Sequence, residues 1–343
     1  LRAGPAVAST PDRRGGMTAL RRLALGFPIT WSHKRCHSLH GLESAGAGPY
    51  FIEWDPGSGT YGEDWNGAPF DDDGVLLSGP TRVYHPIRIA QFALHRFDIW
   101  YATRNAAARG DFLAQAKWLR DRQHDDGVTG LYRFEFPWKK YGAASGWSSA
   151  MAQGEAISVL LRAHSLDASS GYGDAAERAA QPFFSEIAQG GVVWRSGSEM
   201  FLEEIANEHA AHVLNGCIFA LWGVWELWKR TGDPALARIV EPCVDTLRRW
   251  LPRFDTGWWT LYSLLLSAGD QPHIATLKYH QFHIAQMHVL GQMFSEPKFE
   301  DAAQRWAAYV GQRTSRSRVV ASTLRSLPER LSRRDTILGG AHT

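Results

Sequence analysis

Cysteine is scarce in this chain: three residues in 343. Cys36, Cys217 and Cys243 are odd in number, far apart and lack a C-x-x-C pair, which excludes a disulfide framework and a zinc-ribbon spacing. Cys217 and Cys243 fall on apolar helical faces, where a thiol packs as a small hydrophobe. No apolar run approaches the ~18 residues of a membrane-spanning helix. A surplus of one charge is also missing. The formal net charge is +2, so no global field draws the chain to nucleic acid or to an anionic bilayer. The short apolar run 23–29 is interrupted by Pro28 and has no A-x-A-like site after it, so no secretory signal is read and the cytoplasm is the default compartment.

Tryptophan, by contrast, is abundant, with 15 residues. Indole serves a bulky helical core, and its face also stacks on the C–H face of a sugar. Four segments repeat one design of helix, polar break and helix: 86–118, 148–184, 213–251 and 279–310. The breaks fall at 105–110, 169–173, 231–234 and 295–297. Gln91, Gln153 and Asn215 occupy comparable points, 62 residues apart. In Thr231-Gly232-Asp233-Pro234 the glycine suits a helix end, the aspartate a cap and the proline a first turn. Such pairs bury their apolar faces only by stacking on neighbours. The expected fold is therefore mainly α, an α/α toroid over 82–312, with hairpins at 190–201, 127–136 and 258–266 between the repeats. Residues 28–81 read as a small strand-and-loop segment, 1–27 as a disordered or non-native leader with Met17 as a candidate start, and 313–343 as a tail.

The stretch GWSSAMAQGEAISVLLRAHSL, residues 146–166, opens on a Gly-Trp turn and reads on as an amphipathic helix. It sets Ser148, Ser149, Gln153 and Glu155 among small residues that admit a backbone or a flat sugar ring. Three further anchors follow in order: EEIANEHAAHVLNG (203–216), DTGWWTLYSL (255–264) and KYHQFHIAQ (278–286). Together, over about residues 86–310, these motifs resemble the D-glucuronyl C5-epimerase family. The resemblance implies an isomerase that inverts glucuronate to iduronate within a glycosaminoglycan-type chain, as in heparan sulfate biosynthesis. It also implies an anionic polysaccharide as partner, no cofactor, and a homodimer.

That chemistry removes a weakly acidic hydrogen α to a carboxylate and returns one to the opposite face. It needs a base, an acid and donors for the growing charge. In an extended segment Glu203 and Glu204 point to opposite sides, and by resemblance Glu204 is the one that enters the cleft as general base or acid. Tyr279 is its expected partner across the sugar, and Tyr262 assists or orients the carboxylate. Trp147, Gln153, Asn215, His280 and His283 are expected substrate contacts, although Gln153 and Asn215 suit a structural role equally well. Arg88 and Lys278 lead a set of loop-end cations that includes Arg82, Arg133, Lys139, Lys140 and Arg195. His280 and His283 share a helical face, but no H-E-x-x-H and no third ligand accompany them, so no metal is expected. Two positions depart from the family: Ile205 stands where it has a tyrosine, and Leu265 where it has an arginine. A polysaccharide lyase with the same deprotonation, a glycosidase with paired carboxylates and an impaired carbohydrate-binding homologue are the alternatives.

Overall fold

Each helix begins and ends where its own chemistry dictates. Helix α1 (Pro86–Thr103) starts on a proline and stops at Arg104 in the left-handed conformation. Asn105 then caps α2 (Ala106–Asp121) by accepting from the Ala108 amide at 2.9 Å. Ser149 caps α3 (Ala150–Leu166) in the same way through Ala152, and α4 (Tyr172–Ala180) follows. Helix α5 (Leu214–Thr231) ends at Gly232 with φ 71°, and Asp233 with Pro234 opens α6 (Pro234–Phe254) as the sequence predicts. Thr276 caps α7 (Leu277–Phe294), and Pro297 opens α8 (Pro297–Gly311). The computed structural model describes residues 46–53, 65–79, 81–125, 129–264, 272–319 and 321–322. All of these lie in one unit, Lys34–Thr343; residues 1–33 lie outside the described residues. The expected leader, Cys36, Leu265 and the end of the tail also lie outside them.

The chain is mainly helical, and its helices pack as pairs: α1 with α2, α3 with α4, α5 with α6, and α7 with α8. The first members also pack in order, α1 on α3, α3 on α5 and α5 on α7. The α3–α5 contact is the closest-fitting. A Cβ on Gly223 would lie 2.6 Å from the Gly154 Cα, and one on Gly154 would lie 2.5 Å from the Ala220 Cα, so only glycine permits these backbones to meet. Helix α3 is buried all round from Ala150 to Ala163, not amphipathic as its sequence suggests. Its polar groups are tolerated because they are paired. Gln91 of α1 donates to Glu155 at 3.0 Å, and Arg162 forms a two-pronged ion pair with Glu226 of α5 at 2.9 and 3.1 Å. Both links join residues 64 positions apart, so they recur with the helical repeat.

Short strands bridge the pairs. Strands β1 (Leu77–Ser78) and β2 (Val83–Tyr84) pair ahead of α1. The expected hairpin at 127–136 is split between two ladders. Strand β3 (His124–Asp125) pairs with β4 (Gly130–Leu131), while β5 (Arg133–Phe134) pairs with β6 (Trp147–Ser148). The cause is Gln153, whose side-chain oxygen takes the Tyr132 amide at 2.8 Å and ends the first ladder. The hairpin at 190–201 forms as β7 (Val193–Ser196) and β8 (Glu199–Leu202), with Gly197 at φ 56° in its turn. The third expected hairpin, of which residues up to 264 are described, shows single bridges, Asp255 to Thr260 and Val213 to Ser263.

Candidate active site

Strand β8 delivers two carboxylates in opposite directions. Glu203 continues the strand, donating to the Val192 carbonyl at 3.0 Å and accepting from the Ala150 amide at 2.9 Å. Its side chain clasps His212, meeting the ring Nδ1 at 2.5 Å and the backbone amide at 3.0 Å. Glu204 faces the other way. Its Oε1 accepts from the Tyr262 hydroxyl at 3.4 Å. Its stem runs along the first turn of α5, where a Cβ on Gly216 would lie 2.6 Å from the Glu204 Cβ and would also strike the carboxylate. The positive end of an 18-residue helix thus borders this carboxylate.

Around Glu204 the fold gathers three phenols. Tyr262 and Tyr279 meet edge to face with ring centroids 4.6 Å apart. Tyr141 arrives from the short 3-10 turn Lys139–Tyr141, whose backbone is pinned when Asn207 donates to the Tyr141 carbonyl at 2.6 Å. Burial, and then the nearby Glu204 carboxylate, push the Tyr279 phenol well above its usual range, opposed by a hydrogen bond with Tyr262. Burial, Glu204 and Tyr279 raise Tyr141 in the same direction, opposed by a hydrogen bond from Ser263. Both phenols therefore hold their protons at neutral pH and serve as donors. Glu204 has no exposed surface, Tyr262 is 7% exposed, and Tyr279 is the outermost of the three sequence-predicted catalytic residues.

The other expected contacts divide. Asn215 is 1% exposed in the first turn of α5, directly before the glycine that abuts Glu204, and neither amide atom has a partner among the described residues. Its amide thus keeps unused hydrogen-bonding capacity. Lys278 is half-buried beside Tyr279. The other five are buried. Gln153 is fully buried, and besides the Tyr132 amide it holds the carbonyls of Gly130 and Ala179 at 2.9 and 2.8 Å. The Trp147 indole stacks on Phe134 at 3.8 Å and donates to the Phe136 carbonyl. Arg88 is 4% exposed and lies beside His85, which burial and that guanidinium push down to about 3.

His280 and His283 meet over one hydroxyl, that of Thr260, at 2.8 and 2.9 Å. The other His280 nitrogen meets the Trp306 carbonyl, which only accepts, so Nε2 carries the hydrogen and Nδ1 accepts from Thr260. Thr260 must then accept from His283 Nδ1. This arrangement needs the His280 ring neutral, and burial holds His280 down to about 4 and His283 well below its usual value. Linkage sets the sign. The unfolded chain takes up these protons near pH 6.5 and the folded chain resists them, so stability present above that pH is lost as pH falls toward 4. His280 alone accounts for roughly 3 kcal/mol of this loss. The urea midpoint should therefore drop between pH 7 and 4.5, and a flat midpoint over that range would refute the buried neutral pair. No group of three metal-ligating side chains occurs among the described residues.

The residues that sequence reasoning missed are Tyr141, Ser263, His273 and Gly216. Gly216 and Ser263 lie inside the 203–216 and 255–264 anchors and Tyr141 lies five residues ahead of the GWSS anchor, whereas His273 carries no such signal. A cavity of about 310 Å3 lined by Arg109, Lys117, Asp167 and Tyr172 shares no residue with the cluster at Glu204, where the ionisable groups converge.

Residues 125–308 match the family model described as D-glucuronyl C5-epimerase C-terminus. The D-glucuronyl C5-epimerase of Caenorhabditis elegans is 29% identical over 212 residues, which is 58% of this chain and 34% of that protein. An uncharacterized protein of Methanocaldococcus jannaschii is 26% identical over 171 residues, 49% of this chain and 53% of its own length. The chain thus spans about a third and about half of these two relatives. A solved structure, the Lin0763 protein from Listeria innocua, aligns at TM-score 0.46 with 13% identity, over 70% of this chain and 65% of that one.

Proposed function

This chain belongs to the D-glucuronyl C5-epimerase C-terminus family, and from that premise we propose that it is a uronyl C5-epimerase acting within an anionic polysaccharide. The observation that carries the reading is the convergence of Glu204, Tyr262 and Tyr279, from three separate motifs, into one cluster. The stacked first helices are, in this reading, the inner wall of an α/α toroid.

The chemistry runs as two proton transfers with the sugar between Glu204 and Tyr279. Glu204 takes the C5 hydrogen as a proton, and the bonding pair stays on C5 and spreads onto the uronate carboxylate. Tyr279 gives its phenolic proton to the opposite face of C5, and the carbanion closes to the inverted centre. Glu204 is then protonated and Tyr279 is a phenolate; both reset by exchange with solvent. Tyr262, hydrogen-bonded to each, holds the two groups in register. Asn215 supplies an amide to a sugar hydroxyl. The reading carries one structural requirement: because Glu204 has no exposed surface, the phenol layer over it opens when a uronate binds.

Epimerase and lyase share the deprotonation and part afterwards. Proton NMR in deuterated buffer, on a panel of glucuronate- and iduronate-bearing polymers, separates them. The expected result is loss of the C5 hydrogen signal with no unsaturated ends. Unsaturated uronate would replace the epimerase by a lyase, and new reducing ends would replace it by a glycosidase. Tyr279→Phe should cut exchange by at least about 100-fold while leaving oligosaccharide binding within about threefold. Exchange at the parent rate in that variant would remove Tyr279 from the mechanism.

A further inference from the structure

A uronate brings a permanent negative charge, and epimerisation enlarges it, so the site needs a cation and a fixed donor aimed at the carboxylate. The turn Lys139–Tyr141 presents both. The Lys140 ammonium stands 5.1 Å from the Tyr141 ring and 5.9 Å from the Tyr262 ring, so it borders two of the phenols at Glu204. It is exposed, whereas Tyr141 is 4% exposed beneath it.

A line of hydrogen bonds fixes their orientation. Lys140 Nζ meets His273 Nε2 at 2.9 Å, and His273 Nδ1 meets the Ser263 hydroxyl at 2.9 Å. Ser263 in turn bonds the Tyr141 phenol. An ammonium only donates, so His273 Nε2 accepts and Nδ1 carries the hydrogen. Nδ1 therefore donates to Ser263, and Ser263 donates to the Tyr141 oxygen. With that lone pair taken, the phenol's own hydrogen is left to point onward. Every member of the line is thereby set in one direction, from a cation at the rim to a neutral donor beside Glu204. Such a donor, oriented before the substrate arrives, is what a growing enolate charge requires.

We propose that Lys140 and Tyr141 form the carboxylate-binding element of this site: Lys140 binds the uronate charge, and Tyr141 donates to the carboxylate as it becomes an enolate. This deepens the epimerase reading and rests on it for the enolate step, but the carboxylate recognition is testable without turnover. Titration calorimetry of the full chain would compare a glucuronate oligosaccharide with its carboxyl-reduced counterpart. The parent should prefer the uronate by about tenfold or more, the Lys140→Met variant should lose that preference, and Lys140→Arg should keep it. In the exchange assay Tyr141→Phe should lower kcat by about 100-fold with KM nearly unchanged. Carboxylate preference in the parent without any C5 exchange would sink the epimerase reading and leave the binding element standing. Equal binding of the two oligosaccharides by the parent, or undiminished preference in Lys140→Met, would overturn the assignment. A parental kcat in Tyr141→Phe would strike out the donor role.

Discussion

Replacing Glu204 by glutamine is expected to reduce C5 exchange by about 1,000-fold or more while leaving the melting temperature nearly unchanged. The substitution keeps the shape of the side chain, which matters because Gly216 and Glu204 are packed against each other without room for a methyl group. It also keeps an oxygen for the Tyr262 hydroxyl. What it removes is the ability to accept a proton. Tyr141 and Tyr279 do not substitute as bases at neutral pH, because burial and the neighbouring carboxylate hold their protons on. Glu203 does not substitute either, since it points away and holds His212 on both the ring and the backbone. Exchange measured by proton NMR, alongside a thermal melt, checks the prediction. A variant that melts normally and still exchanges at the parental rate would show that the base is elsewhere.

The largest expected stability effect comes from a pair far from the chemistry. Arg162 and Glu226 are 1% and 2% exposed and join α3 to α5, with the guanidinium also holding the carbonyls of Ser158 and Pro49. It lies over the rings of Tyr50 and Phe97 as well. Removing only the carboxylate strands a buried positive charge, so Glu226→Ala should cost about 3–5 kcal/mol, a drop in Tm of about 4–7 °C. Replacing both partners by apolar groups, Arg162→Met with Glu226→Leu, should recover much of that loss, because the desolvation cost of two charges disappears with them. Calorimetry of the single and double variants decides this. A double variant as unstable as Glu226→Ala would mean that the guanidinium's backbone hydrogen bonds, not the charge pair, hold the helices.

The helical pairs were legible because their breaks carry local chemistry. Gly232, Asp233 and Pro234 act at the positions their side chains prefer, whatever surrounds them. The cluster of Glu204, Tyr262 and Tyr279 was legible through its motifs. The roles of Gln153 and Trp147 were not, because a polar or aromatic side chain next to a motif looks the same whether it meets a ligand or a backbone carbonyl. Gln153 meets three backbone groups and Trp147 a stacked phenyl ring. Helix α3 reads as amphipathic because its polar residues have partners 64 positions away, beyond any local period. The link between Tyr141 and His273 was invisible for a related reason. They come from turns 132 residues apart and meet only through Lys140 and Ser263. Ile205, which follows Glu204 directly, is fully buried.

The central claim is that two different groups handle the proton on the two faces of C5. It is tested most directly by the isotope pattern at early turnover in deuterated buffer. If Glu204 removes the hydrogen and Tyr279 supplies its replacement, the first inverted residues carry deuterium at C5 while the uninverted residues still carry hydrogen. Inverted residues that retain the original hydrogen would mean that one group carries it across, and the paired arrangement of Glu204 and Tyr279 would be wrong.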